Sequence, residues 1–144
     1  MSFLTYSNYA GIGELARKTM HYSQAVRVGD RIEISGQGGW DPERDSPVFP
    51  KDLKAEYEQA FKNVDLALKT AGGKGWSQVF RVNSYHTNLE DTAVVSGLMI
   101  EGFDKWMPGH APIWTEIGVK QLGAPDMRVE IEVVAYDPEG AKSA

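Results

Sequence analysis

The most regular pattern in the chain is an alternation of apolar and charged residues over residues 127–135, near the carboxyl end. A period of two predicts a β-strand with one buried face. The apolar side chains of this strand are Val129, Ile131, Val133 and Ala135. The other face carries Arg128, Glu130 and Glu132, and such charges require either water or partners across an interface. The charged face of this strand is therefore either a solvated sheet surface or one wall of a cleft between subunits. In the second case, Glu130 or Glu132 would be the acid that takes part in the chemistry.

Shorter runs predict further strands. Residues 21–28 and 31–35 alternate on either side of Gly29–Asp30, which favours a hairpin. Residues 79–87 are rich in β-branched and aromatic side chains, as is typical of a strand. Residues 113–119 form another strand candidate. The chain is therefore expected to build one sheet from these runs and the carboxyl-terminal strand.

Two segments instead carry apolar residues at spacings of three and four. Residues 53–71 predict an amphipathic helix that Asp52 caps and Gly72–Gly73 ends. A second stripe predicts a helix that begins at residues 91–92 and ends before Pro108. Since each helix has a single apolar face, both belong on one face of the sheet. The predicted fold class is an α+β sandwich, with one domain over residues 1–144.

Two helices on one side leave the opposite face of the sheet uncovered. Because that face would hold the charges of residues 128–132, we expect it to pack against copies of itself in a closed ring of identical subunits. Residues 1–20 lack clear periodicity and are predicted to form an arm along the surface. Residues 138–144 are predicted to form a frayed tail.

The composition is that of a globular protein, since 42% of the 144 residues are hydrophobic and 24% are charged. Without cysteine, the chain has no disulfide, thiolate metal site or cysteine nucleophile. The net charge of -5 and the scattered basic residues argue against nucleic acid as a partner. There is no secretory signal pattern and no segment with the roughly 20 apolar residues of a membrane span. We therefore expect a cytoplasmic protein that binds a small molecule.

Few residues have candidate chemistry. The three histidines lack metal-ligand spacing, so no metal site is predicted. Residues 36–39 contain three glycines, which suit either a simple turn with a bulge or the close approach of a ligand to main-chain N–H groups. The polar groups that could converge in a folded assembly are Tyr22, Ser35 with the Gly36 backbone, and Glu130.

Five short segments, in this order, carry a family resemblance. They are Tyr22-Ser23-Gln24-Ala25, Val28-Gly29-Asp30, Ile34-Ser35-Gly36-Gln37, Gln59-Ala60 with Asn63, and Val129-Glu130-Ile131-Glu132. Each segment is a weak signal alone. Together they resemble the RidA/YjgF (Rid) family of reactive intermediate deaminases, over about residues 19–137.

This resemblance implies a chorismate-mutase-like fold with one mixed sheet, assembled as a homotrimer with ligand pockets between subunits. Active members hydrolyse enamines and imines, such as 2-aminoacrylate and 2-iminobutanoate, to 2-keto acids and ammonia, with no metal or organic cofactor. The family's glutamate, which positions the attacking water, corresponds to Glu130. The pocket tyrosine corresponds to Tyr22, and the Ser-Gly-Gln turn to Ser35, Gly36 and Gln37.

The family's arginine, which grips the substrate carboxylate, has no counterpart in this chain. Trp114 stands at its position, and tryptophan offers one N–H and an apolar ring in place of a planar fork of donors. Each hydrogen bond lost to a charged group costs roughly 1.5–3 kcal/mol. Without its counter-charge, Glu130 would have a raised pKa. Arg128 and Arg81 are the candidates to replace the missing arginine.

Three hypotheses about function remain, and they leave open whether the chain is an enzyme. The first is a Rid-family trimer that binds a small apolar or aromatic metabolite stacked on Trp114 and is a poor 2-imino acid deaminase, with Glu130 as acid/base. The second is an enamine/imine deaminase in which another group replaces the arginine. The third is a non-catalytic interaction or chaperone-like module.

Overall fold

The computed structural model describes residues 1–144 and contains six strands and four α-helices. The strands are β1 (Thr5–Ser7), β2 (Ala25–Val28), β3 (Arg31–Ile34), β4 (Val79–His86), β5 (Ile113–Gly118) and β6 (Val129–Tyr136). The helices are α1 (Ile12–Met20), α2 (Leu53–Thr70), α3 (Thr92–Trp106) and α4 (Pro138–Lys142). None of the helices combines the length and apolarity needed to span a lipid bilayer.

The strands form one mixed sheet with the order β1-β2-β3-β6-β4-β5. β4 and β5 run parallel, with α3 as the connection between them, and every other pair is antiparallel. β2 and β3 form the predicted hairpin, and Gly29 adopts φ 59° in its turn, where a side chain would be strained. The predicted α+β fold class is confirmed. The alternating strand β6 lies in the interior of the sheet, between β3 and β4.

The hydrophobic core lies between the sheet and the two long helices, α2 and α3. α2 has the predicted cap, because the Asp52 carboxylate accepts a hydrogen bond from the Ala55 N–H at 2.9 Å. It ends ahead of Gly72, whose φ of 92° suits glycine. The four residues of β6 on the predicted buried face, Val129, Ile131, Val133 and Ala135, are at most 2% exposed, which confirms that face. Glu130 and Glu132 lie on its opposite face and are half-buried.

Both ends of the chain are more ordered than their local sequences indicate. The predicted arm, residues 1–20, contains a strand paired with β2 and a helix. Tyr9 anchors it, since its buried hydroxyl donates to Gln37 Oε1 at 2.7 Å. The predicted frayed tail contains α4, which is capped by Asp137, and Arg27 pairs with that carboxylate at 2.7 Å. These anchors join residues far apart in the chain, so they leave no local periodicity.

Candidate functional site

A cavity of about 250 Å³ lies beside β3 and β6, and α1 forms one of its walls. It is somewhat smaller than the roughly 300–1,000 Å³ pockets that hold drug-sized ligands. Four of the six predicted site residues line it, namely Tyr22, Ser35, Gly36 and Glu130. Much of the remaining lining is apolar and includes Ile12, Leu15, Met20, Trp40, Pro47 and Met127. The cavity therefore combines one carboxyl group with a largely apolar wall.

Glu130 reaches the cavity from β6 and lies against Gly36. A Cβ atom at position 36 would be 2.1 Å from Glu130 Oε1, so the carboxylate uses space that any other residue would fill. None of the hydrogen bonds or ion pairs within the chain involves this carboxylate, and the Gly36 N–H has no acceptor. Burial raises the pKa of Glu130, and the negative charge of Glu132 raises it further. A carboxyl group with a raised pKa and no partner within the chain is suited to binding and transferring protons.

Ser35 and Tyr22 complete the polar part of the lining. The Ser35 N–H and hydroxyl both donate to the Gln24 carbonyl, at 2.9 and 3.3 Å, and this pair of bonds holds the turn that leads into Gly36. Tyr22 comes just before β2 and is 38% exposed, so it lies at the opening of the cavity. The Ser-Gly turn thus presents its backbone to the same space as the Glu130 carboxylate.

Gln37, also predicted as a ligand-binding residue, lies beneath the cavity and is fully buried. Its side chain accepts from the Tyr9 hydroxyl at 2.7 Å and donates to Gln24 Oε1 at 2.8 Å and to the Ser35 carbonyl at 3.0 Å. Its backbone forms an isolated bridge with β6. Within the chain Gln37 therefore holds Gly36 beside Glu130 and does not line the cavity, and its contact with a ligand stays a prediction.

Glu132 also lies on the open face of β6, but its carboxylate is partnered. The Tyr85 hydroxyl donates a short hydrogen bond to Glu132 Oε1, and Asn83 Nδ2 donates to the same oxygen at 3.2 Å. The bond to Glu132 is the largest cause that raises the pKa of Tyr85, to about 12. Of the two acids proposed from the alternating pattern, only Glu130 is thus free of partners within the chain.

Trp114 lies on the other side of the sheet. It is in register with the fully buried Val82 of β4, so its ring points toward the helices. The ring packs edge-on against Phe103 of α3, with centroids 5.1 Å apart, and Nε1–H donates to Ser84 Oγ at 2.9 Å. Within the chain Trp114 is therefore a packing residue. Its contact with a ligand in a pocket between subunits stays a prediction.

Neither candidate arginine lines the cavity. Arg128 turns toward α2, where its Nε lies 2.5 Å from Oε2 of the buried Glu56 and its backbone N–H donates to Oε1 at 2.8 Å. It also borders a wider groove of about 610 Å³ that holds none of the predicted site residues. Arg81 is exposed and alternates with Asn83 and Tyr85 on the open face of the sheet, without an ion pair in the chain. A role for Arg81 in binding an anion stays a prediction.

A second polar cluster lies on the helix side of the sheet, around the fully buried His86. The Tyr57 hydroxyl is 2.6 Å from His86 Nδ1, and Ser84 Oγ is 2.8 Å from Nε2. Glu116 accepts from the Ser96 hydroxyl at 2.7 Å and places its other oxygen 3.3 Å from His86 Nε2, without hydrogen-bond geometry. Burial lowers the pKa of His86 to about 4, so its ring is neutral at pH 7. No group of three or more His, Cys, Asp or Glu side chains could hold a metal ion.

The apolar wall of the cavity was not among the residues predicted from the sequence. Its helical part has a signal, because the residues that line the cavity from α1 fall at spacings typical of one helix face. These residues are Ile12, Leu15, Ala16, Thr19 and Met20. The glycines around position 12 and the adjacent basic pair, Arg17 and Lys18, obscure this pattern. Trp40 and Met127 come from separate loops, and no local pattern connects them with the site.

Comparisons with known proteins match most of the chain. A family model described as Endoribonuclease L-PSP matches residues 14–137. The 2-iminobutanoate/2-iminopropanoate deaminase of Dermatophagoides farinae is 33% identical over 113 residues, which are 78% of this chain and 83% of that protein. The RutC family protein YjgH of Escherichia coli is 31% identical over 118 residues, which are 82% of this chain and 84% of that protein.

Solved structures are similar over a still larger share of the chain. The structure of protein YJGH has a TM-score of 0.77 and 30% identity, and the match covers 94% of this chain and 97% of that one. The structure of RidA from the Antarctic bacterium Psychrobacter sp. PAMC 21119 has a TM-score of 0.71 and 32% identity, with 92% and 95% covered.

Proposed function

Because the chain belongs to the RidA/YjgF family, which the matching family model describes as Endoribonuclease L-PSP, we propose that it hydrolyses the C=N bond of a small imine without a metal or organic cofactor. At the level of the family, relatives named as 2-iminobutanoate/2-iminopropanoate deaminases support a deaminase-like function. We further propose that the working unit is a homotrimer with pockets between subunits, and that 2-imino acids are poor substrates.

The observation that carries the proposal is the free Glu130 carboxyl group beside the free Gly36 N–H. In imine hydrolysis, water adds to the carbon of the C=N bond while the nitrogen gains a proton, and the resulting carbinolamine releases ammonia. Glu130 can take the proton from water and return it to the nitrogen, since its pKa lies above that of an ordinary glutamate. The Gly36 N–H can bind the oxygen that develops on the reacting carbon.

Poor turnover of 2-imino acids follows from the charges around the cavity. No lysine or arginine is among the residues that line it, and the acid Glu130 is among them. A substrate carboxylate would therefore enter beside a group of the same charge. The sequence resemblance implies that, in family members with the arginine, this residue compensates the negative charge of the substrate carboxylate. Trp114 packs against α3 and does not supply a replacement for that positive charge within the chain.

The proposed trimer is supported by the exposed apolar residues on the open face of the sheet. Ile113 and Ile117 are 59% and 38% exposed and alternate along β5 with the inward-facing Trp114. Exposed large apolar side chains on a sheet face that also carries half-buried carboxylates are typical of an interface that copies of the chain cover. We further propose that the protein is cytoplasmic. A net charge of -5 disfavours nucleic acid as its partner.

The test measures ammonia release from imines made in situ by amino-acid and amine oxidases, with semicarbazide as a competing trap. Native protein is expected to accelerate hydrolysis of at least one imine in the series, with 2-iminobutanoate among the slow ones. Glu130→Gln keeps the shape of the side chain and removes the acid/base group, so activity should fall about 100-fold or more.

Glu33→Gln is the matched control, because Glu33 is an exposed glutamate paired with Arg31 at 3.8 Å and lies outside the cavity. It should keep native activity. Light scattering should give three times the mass of the chain. Activity that survives Glu130→Gln, or a series in which no imine is accelerated, would contradict the proposed function.

A further inference from the structure

The wall of the cavity provided by α1 is apolar except at Thr19. Ile12, Leu15 and Met20 all line the cavity, although Met20 is 68% exposed in the chain. An exposed methionine beside a pocket is a flexible apolar surface that can adapt to a ligand. The α1 wall, defined here as residues 12–20, therefore favours a hydrocarbon group.

The charged groups that line the cavity also favour a ligand without a carboxylate. Within one chain the only ionisable side chains of the cavity are Tyr22 and Glu130, so a bound carboxylate would find a negative neighbour and no cation from that chain. By contrast, the N–H group of an imine or amide can donate a hydrogen bond to the Glu130 carboxylate. Within the chain this acceptor capacity is unused.

We propose that the cavity selects imines without a carboxylate group, whose branched or aromatic apolar chain packs against the α1 wall while the nitrogen faces Glu130. This inference rests on the proposed function and names its substrate class. The reaction is R-CH=NH + H2O giving R-CHO + NH3. A C–O bond forms as the electron pair of the C=N double bond moves to nitrogen, which gains a proton. The C–N bond then breaks as the proton of the new hydroxyl group passes to nitrogen, and ammonia leaves as the aldehyde forms.

The first experiment measures binding and does not depend on catalysis. Two stable probes with one carbon skeleton are titrated into the full-length protein by calorimetry: 3-methylbutanamide, which is neutral, and 3-methylbutanoate, which carries the carboxylate. The amide should bind at least about tenfold more tightly, a difference of about 1.4 kcal/mol. Equal binding, tighter binding of the carboxylate, or binding of neither probe overturns the proposal. Because the assembled protein is used, a cation supplied by a neighbouring subunit would appear as tighter carboxylate binding.

Leu15→Lys tests the α1 wall itself, because it places a cation on the half-buried side that lines the cavity. The preference for the amide should fall by about tenfold or more. Glu14→Lys is the matched control on the same helix, since Glu14 does not line the cavity and its change adds two units of positive charge. It should leave the preference unchanged. Equal effects of the two variants would show a long-range charge effect and overturn the role of the α1 wall.

A catalytic experiment separates this inference from the proposed function. The imine of 3-methylbutan-1-amine, made by an amine oxidase, is compared with the imine of leucine, made by an amino-acid oxidase. These substrates have the same branched chain and differ by the carboxylate. Faster hydrolysis of the neutral imine supports both proposals, and faster hydrolysis of the leucine imine overturns the inference alone. If the amide binds preferentially but neither imine is hydrolysed faster, the proposed function fails and the inference on ligand class stands.

Discussion

The two sides of the sheet each hold a polar cluster, and the two clusters differ in how far the chain satisfies them. On the helix side, the two ring nitrogens of His86 have partners in Tyr57 and Ser84. On the open side, Glu130 has no partner in the chain and faces an apolar wall. A buried ring with partners for both nitrogens stabilises one fold, whereas a free carboxyl group beside a cavity is available to a ligand.

The same physical cause acts on both clusters with opposite sign. Burial disfavours the charged form of any group, so it lowers the pKa of His86 to about 4 and raises the pKa of Glu130. At pH 7 the histidine is therefore neutral, and its burial does not remove a charge from water. The carboxyl group of Glu130 is more readily protonated than that of an ordinary glutamate. The clusters predict different responses to mutation: loss of stability on the helix side, and loss of function on the open side.

The largest expected effect is that of His86→Ala. Removal of the buried ring leaves a cavity and takes partners from Tyr57 and Ser84, so the free energy of unfolding should fall by about 4 kcal/mol. Urea denaturation at one fixed protein concentration measures the change. His110→Ala is the matched control, since His110 is exposed and bonded to a single carbonyl, and it should cost about 1 kcal/mol. A similar cost at both positions would mean that the His86 cluster is not a special source of stability.

The next effect is a loss of stability in acid. Since the pKa of His86 is about 4 when folded and 6.5 ordinarily, the unfolded chain binds the proton more readily between these values. The free energy of unfolding should therefore fall by about 3 kcal/mol from pH 7 to pH 4 through this group. Denaturation of native protein and of His86→Leu is compared across this range, and the variant should lack that part of the loss. Parallel profiles would contradict the assignment to His86.

On the open side, Gly36→Ala should affect catalysis more than stability. The added Cβ would lie 2.1 Å from Glu130 Oε1 and displace the carboxylate, and a misplacement of about 1 Å can reduce the rate about 100-fold. The measurement is kcat/KM on the best imine of the series. Gly97→Ala is the control, because nothing lies within 4 Å of a Cβ at that helical position, and it should keep native activity. Full activity in Gly36→Ala would show that the contact with Glu130 is not needed.

The smallest effect is expected for Trp114→Phe, which tests on which side of the sheet this residue acts. The change removes the hydrogen bond from the indole N–H to Ser84 and keeps an aromatic ring against Phe103. The free energy of unfolding should therefore fall by about 1 kcal/mol. Binding of the amide probe, followed by calorimetry, should not change. Weaker binding in this variant would place Trp114 in the ligand site of the assembled protein.

Much of the fold was predictable, because it depends on short-range patterns. The alternation along β6 identified its buried face, the spacing of α2 identified its core stripe, and Asp52 marked its start. Period and capping are properties of neighbouring residues, so a sequence reveals them directly. The ends of the chain were not predictable in this way, since Tyr9 and Asp137 are held by partners far away in sequence.

The site was predictable in part. The family resemblance pointed to Tyr22, Ser35, Gly36 and Glu130, and the structure brings these four residues to one cavity. It could not distinguish a residue that lines the cavity from one that braces it, as Gln37 does. Nor did the alternating pattern show that Arg128 leaves its row of charges to pair with Glu56, because that choice depends on the position of α2.

The sequence by itself determined the α+β class, the buried face of β6 and the two acids, Glu130 and Glu132, that stand on its other face. Tertiary structure alone decided that Trp114 faces α3, that Arg128 is bound to a buried glutamate, and that α1 closes one side of the cavity. The reason is physical. Periodicity records which residues avoid water, whereas the partner of each polar group depends on which elements meet in space.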